Sequence, residues 1–336
     1  MKYEVFIGVD VSKETLDFVV LVGEERLLFH LRVSNDKSGI QQFYKKLTKQ
    51  LGSAKNRFLF CLEHTGIYCN PFLEFASQKA WAVWLEDAAK IKSYHSIERE
   101  KNDQIDALRI AGYAYAKRHK IKLWEAPREV ISQLKGMIKL RERLVGSKQR
   151  LLNPLCEEKQ FGNGKWIKDH QKLLQPVMDK IEKQIREVEN KIQQLIEEDD
   201  PLKKLYEQLT SVKGVGRIVA INTLVVTNEF KAITNPKKMA CHCGVAPFKK
   251  QSGKSIRGKS KVSHRANKSM KTLLNLAARS AIGSPGELRD YYLRKVGEGK
   301  NGMLVLNAVR NKIIHRMFAC VKHQRKYENS YTHTLA

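Results

Sequence analysis

VFIGVD, Val5 to Asp10, is a short apolar run that closes on an acid, and how it is read decides the fold. Residues 17 to 22 and 26 to 33 repeat the strand-like pattern on either side of the turn-like Gly23-Glu24-Glu25, which predicts a meander of three strands. A helical stretch from about 38 to 51 leads to a second apolar run, Phe58 to Leu62, closing on Glu63. Another helix, about 71 to 79, precedes a third run, Trp81 to Leu85. Three strands followed by alternating helices and strands predict an α/β layered domain with acids at strand ends.

Around that segment the chain is long and basic. Its 336 residues exceed the usual single-domain size, so a modular architecture is expected. With 62 Lys and Arg against 35 Asp and Glu, the formal net charge is +27. Such an excess suits a polyanion-binding surface, with nucleic acid as the leading partner. No stretch approaches the roughly 20 apolar residues of a spanning helix. The N-terminus places acids inside its apolar stretch instead of a signal-peptide pattern, so a cytoplasmic location without a membrane partner is expected. Six cysteines are too few for a disulfide scaffold in a chain of this length, and free thiols are the expectation. Cys241-His242-Cys243 lacks the two-residue gap of a zinc knuckle and has no second Cys/His pair nearby, which favours small half-buried residues over a zinc site.

From about residue 128 onward the strand pattern disappears. Val177, Ile181, Ile185, Val188, Ile192 and Leu195 recur at three- and four-residue steps with charges between them, a narrow apolar stripe. This predicts a helical coiled-coil arm, with residues 131 to 155 as the partner helix and Gly162-Asn163-Gly164 as the connecting loop; subunit association is its functional reading. Asp199-Asp200-Pro201 closes the arm, and residues 202 to 322 read as mainly helical with one basic, glycine-rich interruption. Boundaries near 127 and 200 give three expected segments: 1–127, 128–200 and 201–336.

Three short segments carry acids where chemistry could use them: Asp10, Glu63, and the pair Asp103 and Asp106. The pair sits three residues apart at the start of an apolar-periodic helix, so both carboxylates project from one face. Asp10 and Glu63 each end a buried strand, and neighbouring strands ending together would set them side by side. Four carboxylates held closely repel one another unless a hard cation neutralises them, and magnesium or manganese prefers such an all-oxygen environment. Two such ions can clamp the attacking and leaving oxygens of an in-line phosphoryl displacement. Singly, each residue has a bland reading. Asp103 alone suits a helix N-cap, and Asp17 or Asp36 would serve as well on composition. The joint pattern is what a ribonuclease-H-like layout predicts.

Residues 249 to 271, KKQSGKSIRGKSKVSHRANKSMK, hold nine Lys or Arg and no Asp or Glu. Read as a loop, the segment would bind phosphate through Lys249, Lys250, Lys254, Arg257, Lys259, Lys261, Arg265 and Lys268. A sharper reading gives one serine the nucleophile's role, with neighbouring cations stabilising charge on the phosphoryl oxygens. Composition alone does not choose among Ser252, Ser255, Ser260, Ser263 and Ser269. Upstream, Ser211-Val-Lys-Gly-Val-Gly216 before an apolar helix resembles a helix-hairpin-helix, or equally an ordinary helix-helix turn.

Together the segments IGVDVSK, LEHTGIY and KNDQIDA resemble the DEDD motif of the insertion-sequence-110 family of transposases, relatives of the Piv DNA invertase, with Asp10, Glu63, Asp103 and Asp106 at its acidic positions. SVKGVG, CGVAPFKKQSG and SIRG resemble that family's C-terminal transposase domain, in which Ser252 matches the catalytic serine. Lys213, Val245 and Lys271 depart from the family's usual residues without touching those five positions. The resemblance implies a RuvC-like, ribonuclease-H-type domain followed by the arm and a mainly helical transposase domain, in a bacterial or archaeal cytoplasm. It further implies a phosphoserine link to DNA formed with magnesium-bound carboxylates. The implied partners are donor and target double-stranded DNA, a guiding bridge RNA, and further copies of the chain in a dimer or tetramer. Two other readings remain at this point: a hydrolytic junction nuclease in which Ser252 only contacts phosphate, and a non-catalytic nucleic-acid-binding protein.

Overall fold

The computed structural model describes residues 3–23, 26–52, 57–94, 102–162, 164, 166–252, 256–263 and 266–328; of residues 249–252 and 256–261 it describes the backbone alone. The chain divides into two compact units, Met1–Ala126 and Pro127–Ala336.

In the first unit β1 (Val5–Val11), β2 (Thr15–Val22) and β3 (Arg26–Ser34) form the expected meander. Then follow α1 (Lys37–Leu51), β4 (Phe58–Glu63), α2 (Asn70–Gln78), β5 (Ala82–Glu86), α3 (Ala88–Tyr94) and α4 (Asp103–Ala116). The sheet runs β3-β2-β1-β4-β5, with β1 antiparallel to β2, parallel to β4, and β4 parallel to β5. That mixed order, an antiparallel meander continued by parallel crossover strands, is the expected ribonuclease-H-like α/β layout.

Strand periodicity sorts side chains between the two faces. Val5, Ile7 and Val9 of β1, with Phe58, Phe60 and Leu62 of β4, enter the core under α1 and α2, where Phe18 stacks on Phe43 at 3.8 Å and Phe60 on Trp81 at 4.4 Å. The alternate residues Phe6, Leu59 and Cys61 enter a second core with Ala107, Ile110 and Ala111 of α4. By the same alternation Asp10 and Glu63 lie on the α4 face of the sheet. Gly8 is where the helix comes closest to the strand: a Cβ there would stand 2.0 Å from the Ala107 carbonyl oxygen and 2.5 Å from the Ala111 nitrogen. Gly8→Ala is therefore expected to force α4 away from β1, at a cost of about 1–3 kcal/mol by analogy with overpacked cores. Urea unfolding of the variant measures it, and an unchanged midpoint would contradict this seating of the helix.

The second unit opens with α5 (Glu129–Phe161) and α6 (Trp166–Glu197), paired as the expected hairpin arm. Both helices outrun the apolar stripe and continue through Pro154 and Pro176, each of which forfeits a backbone hydrogen bond and so interrupts the sequence signal. Arg141 pairs with Glu189 at 2.6 Å and Lys148 with Glu182 at 3.0 Å across the arm. Next come α7 (Asp200–Thr210), α8 (Arg217–Thr227), α9 (Pro236–His242), β6 (Pro247–Ser252), β7 (Ile256–Val262), α10 (Lys268–Gly283), α11 (Glu287–Gly297) and α12 (Gly302–Lys322). Ile131, Leu134 and Ile138 of α5 and Val188, Ile192 and Ile196 of α6 share one core with α7, α8, α10 and α12. Arg128 fastens the base of the arm, donating to Asp199 at 2.7 and 3.0 Å and also to Glu229. Among the described residues no helix is long and apolar enough to cross a membrane.

One expectation is corrected. The basic segment read as a loop in a strand-free region contains an antiparallel hairpin, β6 with β7. A two-stranded ribbon rich in Lys and Ser carries too few apolar residues to display the period-2 alternation by which strands are recognised.

Candidate active site

Adjacent strand ends and one helix start assemble the acids of the first unit. β1 and β4 pair in parallel with Val9 opposite Leu62, so Asp10 and Glu63 are the next residue on each strand, at the same end of the sheet. α4 begins on that face, its start set by Asn102, whose side chain accepts from the Ile105 N–H at 2.7 Å. Asn102 supplies the cap, so Asp103 and Asp106 stand in the first turn without a capping role.

The electrostatics record the convergence. Asp10 is half-buried, and its carboxyl is pushed up to about 6, first by burial and then by the charges of Asp106, Asp103, Glu63 and Asp17. Glu63 is also raised, chiefly by burial, with Lys92 opposing and Asp106 and Asp87 adding to the shift.

Asp17 and Asp36, equal candidates on composition, are spoken for. Asp36 caps α1, accepting from Gly39 N–H at 2.8 Å and Ser38 Oγ at 2.6 Å, and is held down at about 2. Asp17, opposite Asp10 in the β1–β2 register, is only 2% exposed and is saturated by His30 Nε2 at 2.8 Å and Arg32 Nε at 3.0 and 3.1 Å. Sequence reading missed this network; His30 and Arg32 stand two apart on β3 and so share the face of Asp17. Arg32 also extends an Nη to Asp103, and Arg109 donates to Asp106 at 3.1 Å. With two of the four acids turned to arginines, no three Asp, Glu, His or Cys among the described residues stand close enough to hold one metal ion. The donor set is nonetheless all-oxygen and mutually repelling, which is the chemistry a hard divalent cation relieves.

The raised Asp10 has a measurable consequence. The folded state binds this proton more tightly than an unfolded aspartate of ordinary value 3.8, so metal-free protein should lose stability as pH rises from about 4 through about 6. Urea midpoints in chelator across that window should fall for the wild type relative to Asp10→Asn. Parallel curves would mean that Asp10 is not strained.

In the second unit Ser252 is the last residue of β6, paired in register with Ile256 at the start of β7. The backbones of Lys249, Lys250, Arg257, Lys259 and Lys261 lie on the two strands. Lys254, Ser255 and Arg265 fall outside the described residues. Lys268 opens α10 behind its cap, Asn267, which accepts from Met270 N–H at 3.0 Å. Of the other serines, Ser260 lies on β7, and Ser269 donates to Glu142 of the arm at 2.8 Å. Cys243 is fully buried, and burial pushes its thiol up to about 12. The Lys213-Gly214-Val215 turn joins α7 to α8; Gly214 has φ +87°, and a Cβ there would stand 2.4 Å from the Ala277 carbonyl oxygen of α10.

Known proteins match both units. A family profile described as "Transposase", of the DEDD type, matches residues 7–157, and one described as "Transposase IS116/IS110/IS902 family" matches residues 206–293. The pilin gene-inverting protein of Moraxella lacunata is 21% identical over 329 residues, covering 96% of this chain and 97% of that protein. The transposase for insertion sequence element IS1533 of Leptospira borgpetersenii is 23% identical, covering 70% and 73%. An uncharacterized 44.8 kDa protein of insertion element IS116 from Streptomyces clavuligerus is 24% identical over 147 residues, 44% of this chain and 36% of that protein. A solved structure titled "T. thermophilus RuvC in complex with Holliday junction substrate" overlaps 36% of this chain at 16% identity with a TM-score of 0.29. Matched in both its acidic N-terminal segment and its C-terminal segment, the chain belongs to the IS110 family of transposases.

Proposed function

We propose that this transposase cuts and rejoins DNA through a phosphoserine intermediate at Ser252, assisted by a divalent cation on Asp10, Glu63, Asp103 and Asp106. The observation that carries the reading is that Asp10 and Glu63 end neighbouring strands on the face where α4 opens, with the charges of Asp106, Asp103 and Glu63 helping burial to raise Asp10 to about 6. Magnesium or manganese bound there supplies Lewis-acid stabilisation of charge on the phosphoryl oxygens. Arg32 pairs with Asp103 and Arg109 with Asp106, so a divalent cation held by these acids would compete with both pairings.

The Ser252 Oγ attacks phosphorus, forming an O–P bond as the bond to the departing deoxyribose oxygen breaks; the hydroxyl proton leaves and the departing oxygen gains one. Attack by another strand's hydroxyl on the phosphoserine reverses the step and joins new ends. Lys249, Lys250, Lys254, Arg257, Lys259, Lys261, Arg265 and Lys268 neutralise backbone phosphates around the break. A bridge RNA selects the donor and target duplexes, a second polyanion for the +27 charge. Copies of the chain associate through the arm, whose outer end leaves Phe161, Trp166 and Leu173 exposed.

The test is capture of a denaturant-resistant protein–DNA adduct in magnesium, with and without RNA transcribed from DNA flanking the reading frame. An RNA-dependent adduct supports the reading. Cleavage without an adduct replaces it with the hydrolytic nuclease in which Ser252 only contacts phosphate.

A further inference from the structure

Arg310 of α12 is only 6% exposed, set among Val309, Ile313 and Ile314, all fully buried. An Nη donates to Asn275 Oδ1 of α10, and the other reaches Asn307 Oδ1 at 3.5 Å. Its Nε is buried with no partner among the described residues. Among the described residues no carboxylate pairs with it, and these include every Asp and Glu side chain of residues 127–336. Arg279, exposed one turn beyond Asn275 on α10, adds a second positive charge beside it. Burial, with repulsion from Arg279, lowers Arg310 from the usual arginine value, and among the described residues its partners are neutral asparagine oxygens with no opposing charge. The site is tied to the hairpin: Asn307 Nδ2 donates to the Val245 carbonyl at 2.8 Å, two residues before β6.

A buried guanidinium lacking a counter-ion, beside an exposed one, is a site that an anion completes. We propose that Arg310 and Arg279 form a binding site for one backbone phosphate of duplex DNA, next to the base of the hairpin that carries Ser252. This rests on the reading that the second unit binds DNA. Arg279 meets the phosphate at the surface, and Arg310 supplies the desolvated charge behind it, where screening is weakest. The two asparagines orient the guanidinium without neutralising it.

The experiment compares the full-length wild type with Arg310→Met, Arg310→Lys and Arg279→Gln for thermal stability and for binding to a fluorescent DNA duplex across a salt series. Arg310→Met, similar in volume and apolar, should raise the melting temperature of the free protein yet weaken DNA binding about tenfold. The log-affinity against log-salt slope should become shallower by about one for each of Arg310→Met and Arg279→Gln. Arg310→Lys should recover part of the affinity. A structural role for Arg310 makes the opposite demand, since Arg310→Met would then lower the melting temperature, and that result overturns the proposal. So does an unchanged affinity and slope in Arg279→Gln, a surface change that leaves the core alone. A deficit confined to a single-stranded RNA probe would also overturn it. If the wild type itself shows no salt-dependent duplex binding, the DNA-binding reading of the unit fails as well; normal wild-type binding with unaffected variants sinks only the Arg310 site.

Discussion

Asp10→Asn is expected to reduce magnesium-dependent strand cleavage by ~10³-fold or more, on the scale of removing a preorganised group that stabilises transition-state charge. Asp10 occupies the central position of the acidic set, since Asp106, Asp103 and Glu63 all act on its carboxyl. An amide keeps the shape and one oxygen but removes the negative charge that a divalent cation needs, while relieving the repulsion that strains the metal-free fold. The two effects run in opposite directions, which makes the variant informative. Wild-type protein should gain thermal stability on adding magnesium, as any ligand specific for the folded state requires. Asp10→Asn should start higher in chelator and gain little. Retention of both cleavage and magnesium stabilisation in the variant would remove Asp10 from the site.

Ser252→Ala should abolish the covalent adduct and all strand joining. Loss of a nucleophile alone typically costs about as much as loss of the whole catalytic set, on the order of 10⁶-fold in the best-studied hydrolases. Magnesium stabilisation should be unchanged, because the serine lies in the other unit from the carboxylates. This separates the two variants: one loses metal response and chemistry together, the other chemistry alone. An adduct that persists in Ser252→Ala would transfer the role to another serine of the hairpin. Wild-type cleavage without an adduct would favour water as the attacking group.

Much of the first unit is legible in its primary structure. Apolar runs closing on Asp10 and Glu63, separated by helical stretches, suffice for the succession of strands and helices and for acids at the strand ends, because a buried strand and an amphipathic helix have different periods. The resemblance of IGVDVSK, LEHTGIY and KNDQIDA to a family motif then selected four acids, and that of CGVAPFKKQSG selected Ser252, among many candidates. The arm was equally visible as a repeating apolar stripe, and only the two prolines concealed its full length.

What the sequence by itself determined is therefore the succession of elements, the polyanion-binding charge and the candidate residues, since these depend on local periodicity and composition. Tertiary structure alone decided which acids are available. Asp17 is consumed by His30 and Arg32 from the neighbouring strand, Asp36 by its own helix cap, and Asp103 is left uncapped because Asn102 precedes it. It also decided that the basic segment pairs with itself as a ribbon, and that Arg310 is buried with two asparagines and no acid. The helix caps are local contacts, whereas the Asp17 network and the Arg310–Asn275 contact depend on partners distant in the chain. Burial and pairing are properties of the packed neighbourhood, and no local pattern encodes them.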